Sequence, residues 1–200
     1  MERTVSTKLL ILFASPRPRG NTAQFLDKIT EVFDESVEIT RFDLYGMDLK
    51  SCIACRRCQK VTDSFHCVHD DMQEIFDAAL ESDLILFDTP IYSFYCTPPM
   101  KIVMDRLVYG MCKYYGETMG PSLWAGKTIA LLSTFGYPEE RASDLLVEGL
   151  RRYAKHNKLN FLGAYGERQR SYKEPFMNEQ VKERARAFAE KIMAFGETLN

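Results

Sequence analysis

The 200 residues are 46% hydrophobic and 27% charged, with 11 glycines and 8 prolines, which excludes collagen-like, disordered and low-complexity chains and suits one domain spanning 1–200. A formal net charge of -2, from 26 basic and 28 acidic residues, implies no polyanion partner and argues against nucleic acid. No apolar run approaches the roughly 20 residues that a bilayer needs, and the polar start at Met1–Lys8 does not read as a signal peptide. The default expectation is therefore a cytoplasmic protein with no membrane partner.

In chain order, Lys8–Ala14 (KLLILFA) is a continuous apolar run, the mark of a strand buried on both faces. A turn-rich loop, Ser15–Thr22, leads into a helix at 22–34 with Ala23, Leu26, Ile29 and Phe33 on one face. Val37–Phe42 alternates as a second strand, and a cysteine-rich insertion follows at about 50–70. Asp70 is placed to cap a helix at 71–81. Asp83–Asp88 is a third strand, broken by Thr89-Pro90, before a helix at 98–109. On that helix Lys101 and Asp105 form an i, i+4 pair on a solvated face, and Arg106 is read with them as a structural charge. The irregular 110–126 stretch precedes a fourth strand at 127–132, a loop at 133–138 and a helix at 139–155. A fifth strand at 160–165 and a helix at 178–196 complete the chain.

Five strands alternating with helices predict an α/β three-layer sandwich: a parallel sheet covered on both faces, in the flavodoxin-like order 2-1-3-4-5. Ligands in such sheets bind at the carboxyl ends of strands 1, 3 and 4. The first loop there has the parts of an anion site. Free N–H groups open the helix, Ser15 and Thr22 offer hydroxyls, Asn21 an amide, and Arg17 and Arg19 positive charge, while Gly20 permits the turn. Neither a Walker A loop nor the G-x-G-x-x-G fingerprint is present, so one terminal phosphate suits the site better than a triphosphate. In the second loop, Ile91, Tyr92, Ser93 and Phe94 offer apolar walls and backbone donors suited to a flat heteroaromatic ring. The third, Ser133 to Tyr137, adds the hydroxyls of Ser133 and Thr134, the close approach allowed by Gly136, and two aromatics. Tyr109, Met111, Tyr114, Tyr115 and Trp124 in the 109–126 stretch shape an acceptor pocket, form a subunit contact, or pack in the core.

Ser15-Pro-Arg with Gly20-Asn-Thr22, Pro90-Ile-Tyr-Ser with Pro99-Met-Lys101 and Asp105-Arg106, and Cys52-x-x-Cys55 with Asp70-Asp-Met72 together resemble the NAD(P)H-dependent FMN reductase family. The closer resemblance is to its iron–sulfur-flavoprotein-like branch, over roughly residues 8–165. The resemblance implies non-covalently bound FMN, NAD(P)H as co-substrate, and a homodimer or homotetramer. It assigns Ser15, Arg17, Asn21, Thr22 and Ala23 to the FMN phosphate, and Pro90, Ile91, Tyr92, Ser93 and Phe94 to the border of the isoalloxazine ring. Ser133, Thr134 and Gly136 carry over less uniformly. Ala14 stands where the family usually has Gly.

Cys52, Cys55 and Cys58 have ferredoxin-type spacing, and Cys67 completes a four-thiolate set for a [4Fe–4S] cluster. Two other readings stay open: free thiols or labile disulfides, and a structural zinc with His66 and His69 within reach. Arg56 and Arg57 would lower the thiol pKa values or act as simple solvated charges. The leading functional expectation is an enzyme that passes electrons from NAD(P)H through FMN. The acceptor would be a quinone, a nitro compound, free flavin, a metal ion or a redox protein. No general acid or base is assigned, because the flavin carries the chemistry. The alternatives are an iron–sulfur flavoprotein electron carrier and a non-enzymatic flavin or thiol redox sensor.

Overall fold

The apolar runs become the strands of one sheet. The computed structural model describes residues 6–60, 67, 70–113 and 120–198. Strands β1 (Thr7–Phe13), β2 (Val37–Asp43), β3 (Leu84–Pro90), β4 (Thr128–Phe135) and β5 (Asn160–Arg168) pair in parallel, in the order β2-β1-β3-β4-β5. The helices are α1 (Asn21–Thr30), α2 (Met72–Glu81), α3 (Pro98–Met111), α4 (Glu139–Ala142), α5 (Asp144–Asn157) and α6 (Glu179–Glu197).

Successive side chains on a strand point to opposite faces, and here both faces are covered. Leu10 and Leu12, Ile85 and Phe87, and Ile129 and Leu131 pack with Ile75, Val103 and Leu150 of α2, α3 and α5. Leu9, Ile11, Leu84, Leu86, Ala130 and Leu132 pack with Leu26 and Ile29 of α1 and Phe188 and Ile192 of α6. This double burial is why β1, β3 and β4 read as unbroken apolar runs. The register sets Phe13, Asp88 and Leu132 side by side near the carboxyl ends.

Several boundaries differ from the sequence expectation. Strand β3 continues through Thr89 and Pro90, and β4 through Ser133 and Thr134 to Phe135. Proline is tolerated there because it closes the strand, and the next donor, Ile91 N–H, bonds to Thr134 O at 2.8 Å. The helix expected at 139–155 is split at Ser143 into α4 and α5. Asp70 lies one residue before the cap position of α2, although its Oδ1 accepts from Met72 N at 3.2 Å. Arg106 is 2% exposed rather than solvated, whereas Lys101 and Asp105 form the expected exposed pair.

Between β2 and α2 the chain passes through one-turn 3-10 helices at Leu44–Gly46 and Arg57–Gln59. The two ends of this segment are tied together. Asp48 N–H donates to Asp71 Oδ2 at 2.6 Å, and Lys50 N–H to Asp70 Oδ2 at 3.1 Å. Of the 110–126 stretch, Met111 and Trp124 are wholly buried core residues. Tyr114 and Tyr115, like His66 and His69, lie outside the described residues.

Candidate functional site

Three loops meet beyond the carboxyl ends of β1, β3 and β4, and buried hydrogen bonds fasten them. Thr22 of α1 and Thr134 of β4 share a hydroxyl–hydroxyl bond of 2.6 Å. Thr97 Oγ1 donates to Ala14 O at 2.8 Å, and Thr97 N–H donates to Thr89 Oγ1 at 3.2 Å. Ala14 N–H donates to Asp88 O at 2.8 Å. Ala14 keeps ordinary backbone angles, so the turn needs no glycine at that position.

The first turn of α1 carries no acidic residue, and its Gly20 cap makes no side-chain bond. The N–H groups of Asn21, Thr22 and Ala23 have no carbonyl inside the helix to serve them. They open toward the loop in which Arg17 N–H donates to the Ser15 hydroxyl at 3.3 Å. A Cβ at residue 20 would stand 3.0 Å from Arg17 Cβ, so glycine keeps this turn tight. Ser15 is buried and Arg17 exposed, an arrangement that offers a hydroxyl from below and a guanidinium from solvent. Asn21 Nδ2 donates to Gln169 Oε1 at 2.8 Å, which fixes that side chain. A hydroxyl, free amide groups, a helix dipole and a guanidinium are groups that favour an anion.

The second loop is a two-residue hairpin. Tyr92 and Tyr95 exchange backbone bonds of 3.0 Å around Ser93 and Phe94, whose φ angles are 50° and 67°. Two positive φ angles in such a loop define a type I′ turn, which favours Asn-Gly. A serine and a phenylalanine hold it here under strain. The Phe94 ring stacks on Tyr137 of the third loop, with centroids 5.4 Å apart and planes at 26°. Tyr92, Phe94 and Tyr137 are all exposed, giving an aromatic surface on the second and third loops. Ser133 turns toward β5, where its Oγ donates to Tyr165 O at 3.5 Å, and Gly136 is exposed. The loops thus bring Thr134 to Thr22, but aim Ser133 at the neighbouring strand.

Asp88 is wholly buried under this site, and neither carboxylate oxygen has a partner. Burial drives its pKa well above the ordinary carboxylate range, against the pull of Arg41 and with help from Asp27 and Asp43. Burial thus favours its protonated form.

The four clustered cysteines line one small cavity of about 30 Å³ with Arg56, Arg106 and Tyr109. Positive φ angles at Ala54 (53°) and Arg56 (59°) curl the loop that presents them. Burial, and then the neighbouring Cys67, push the Cys58 thiol up, while Lys113 pulls it down. The lowering expected from Arg56 and Arg57 therefore does not prevail at Cys58. Lys113 Nζ donates to Cys58 O at 2.6 Å, and Gln59 Nε2 to Cys112 O at 2.8 Å, which pins the loop to the end of α3. None of the six cysteines is bridged to another. Among the described residues no three His, Cys, Asp or Glu side chains stand together as ligands of one metal ion. The donor chemistry nevertheless fits a thiolate-bound group: four cysteines line one cavity, Arg106 on its wall has a buried Nε outside its ion pair, and Cys67 stands beside the guanidinium.

Sequence reading missed Thr97, Gln169 and Lys113, and took Arg106 for a structural charge. Thr97 had a signal, since it stands before Pro98 at a helix start. Gln169 and Lys113 come from distant segments with no local pattern. A larger cavity of about 600 Å³ opens elsewhere, between β5 and α6, walled by residues including Tyr165, Phe176, Arg184 and Phe188. Gln169 on its wall reaches Asn21, but the three-loop edge is where anion donors and aromatic surface converge.

The model of the NADPH-dependent FMN reductase family matches residues 7–165. An iron–sulfur flavoprotein of Archaeoglobus fulgidus is 28% identical over 137 residues, 68% of this chain and 59% of that protein. One from Methanocaldococcus jannaschii is 30% identical over 101 residues, 50% of this chain and 51% of that protein. The chain thus spans about half the length of these curated relatives. Among solved structures, an NAD(P)H:quinone oxidoreductase from Methanothermobacter marburgensis superposes with a TM-score of 0.69 at 22% identity, covering 94% of this chain and 100% of that one. An NADPH-quinone reductase from P. pentosaceus gives 0.61 at 16% identity, covering 94% and 97%. At these identities the likeness shows the fold.

Proposed function

The chain belongs to the NADPH-dependent FMN reductase family, and on that premise we propose that it is an FMN-dependent oxidoreductase that moves electrons from NAD(P)H to a small acceptor such as a quinone. One observation carries the reading: the first turn of α1 is held open for an anion directly beside the Phe94–Tyr137 aromatic surface, with Thr22–Thr134 joining the two. Bound FMN would supply the redox chemistry, taking up hydride and passing on electrons. The chain's own residues bind and orient it. Ser15, Arg17 and the N–H groups of Asn21, Thr22 and Ala23 would hold the phosphate. Pro90 through Phe94 would border the ring, and the strained turn presents its rim amides in a fixed direction.

The test is calorimetric titration of flavin-free protein with FMN and with riboflavin, then anaerobic NADPH oxidation with a quinone. Expected is FMN binding at least tenfold tighter than riboflavin, and quinone-dependent NADPH oxidation. Equal binding of the two flavins would remove the phosphate site. Tight FMN binding without NADPH oxidation would leave an electron carrier.

A second feature extends the proposal. Cys52, Cys55, Cys58 and Cys67 line one cavity, and two relatives carry the name iron–sulfur flavoprotein. These four residues would hold a [4Fe–4S] cluster, which supplies one-electron transfer. Iron analysis after anaerobic purification tests it, with about four irons per chain expected. The proposal also includes a cytoplasmic homodimer or homotetramer, checked by light scattering. No described helix is long and apolar enough to cross a membrane.

A further inference from the structure

Arg106 holds more than an ion pair. Its Nη1 and Nη2 grip Asp70 at 2.6 and 2.9 Å, and Nη1 also donates to Lys50 O at 3.1 Å. Both partners of the pair are sealed from solvent, with side chains 1% and 0% exposed. Those bonds account for two of the three guanidinium nitrogens. The third, Nε, is buried and takes no part in these bonds, and Cys67 stands beside the guanidinium. Arg106 lines the cavity together with the four cysteines, and its nearest link to them is Cys67. A lysine could have paired with Asp70. Only the planar fork of an arginine grips a carboxylate with its outer nitrogens and still presents an N–H from its inner edge.

We propose that Arg106 is a positioning residue for the group held by the four cysteines, donating its Nε–H to a sulfur of that group. The inference rests on the iron–sulfur reading above. The Asp70 clamp fixes the guanidinium plane, and the tie from Arg106 to Lys50 O joins that plane to the start of the cysteine segment. A hydrogen bond to sulfur favours the more negative, reduced state, and so raises the reduction potential.

The test compares wild-type protein with Arg106→Lys after anaerobic reconstitution, reading iron content, flavin content and midpoint potential. Arg106→Lys keeps a cation beside Asp70 and removes the Nε–H. Expected is a cluster whose one-electron reduction constant falls about tenfold, a shift of 59 mV to more negative potential. Normal iron with an unchanged potential would overturn the role of Arg106 and leave the cluster reading standing. A wild-type protein that takes up no iron would overturn both. If Arg106→Lys does not fold, the deciding measurement uses the native arginine. Arg56→Lys/Arg57→Lys protein carrying ¹⁵N-guanidino arginine is reduced with dithionite and probed by pulsed EPR. A ¹⁵N coupling to the cluster supports the contact, and its absence overturns it.

Discussion

Burial without a partner favours the protonated form of the Asp88 carboxyl. In the unfolded chain the same group ionises near pH 4. Its native pKa is raised, chiefly by desolvation, so the unfolded state loses the proton first. Stability therefore falls as pH rises above about 4, and levels off only beyond the native pKa. Asp88→Val, close in size and suited to a strand, removes both the buried polar group and this slope. Urea unfolding at pH 5 and pH 8 should show the variant more stable by about 1–3 kcal/mol at pH 8, and by less at pH 5. A wild-type curve that does not fall between those pH values would mean that the carboxylate is ionised and paired.

At the scale of single elements, α1 and the 92–95 turn trade stability against binding. Asn21→Asp puts a negative charge in the first turn of α1, where the macrodipole favours it by about 0.3–1 kcal/mol. The same charge opposes a phosphate. The flavin-free variant should melt no lower than wild type while its FMN affinity falls at least tenfold, as read by calorimetry. In the turn, Phe94→Gly relieves a positive φ that costs about 1–3 kcal/mol. Denaturant midpoints should rise, whereas flavin affinity should fall with the loss of the aromatic wall and its stack on Tyr137. Element order and strand order were legible because double burial writes unbroken apolar runs at β1, β3 and β4. Strand ends were not. Pro90, Ser133 and Thr134 carry turn chemistry, yet they lie on the last rungs of the ladder, where backbone pairing outlasts the hydrophobic signal. The break at Ser143 was hidden because apolar spacing runs across it. The position of the Ser15–Gly20 loop, between a buried strand and a helix start, could be read from local pattern. The partners Thr134, Thr97 and Gln169, and the burial of Arg106, are set by tertiary pairing that no local window contains.

On the scale of the whole molecule, the strand order reverses between β1 and β3, and the bonds from Ala14 to Asp88 and Thr97 span that crevice. Helix α3 starts there at Pro98 and runs back along the sheet. From Pro98 to Arg106 it rises about 12 Å, so one rigid helix carries the edge of the three-loop site at its start and the cysteine cavity at its middle. The cysteine segment, by contrast, is closed at its own base. Asp48 meets Asp71, Lys50 meets Asp70, and Arg106 secures the junction. Chain that leaves and returns at one clasp behaves as an interchangeable cartridge, since changing its length alters the closure entropy by only about 0.6 kcal/mol per doubling. Replacing 51–69 with a short glycine–serine bridge would cost the bond from Lys113 to Cys58 O, the bonds from Gln59 to Tyr109 O and Cys112 O, and the packing of Cys58. It should still leave a folded chain that binds FMN and holds no iron, as flavin titration and iron analysis would show. A chain that unfolds on excision would mean that the segment is part of the foundation. If it survives, the same clasp could accept segments of other lengths and other metal chemistry, with the flavin scaffold unchanged beneath them.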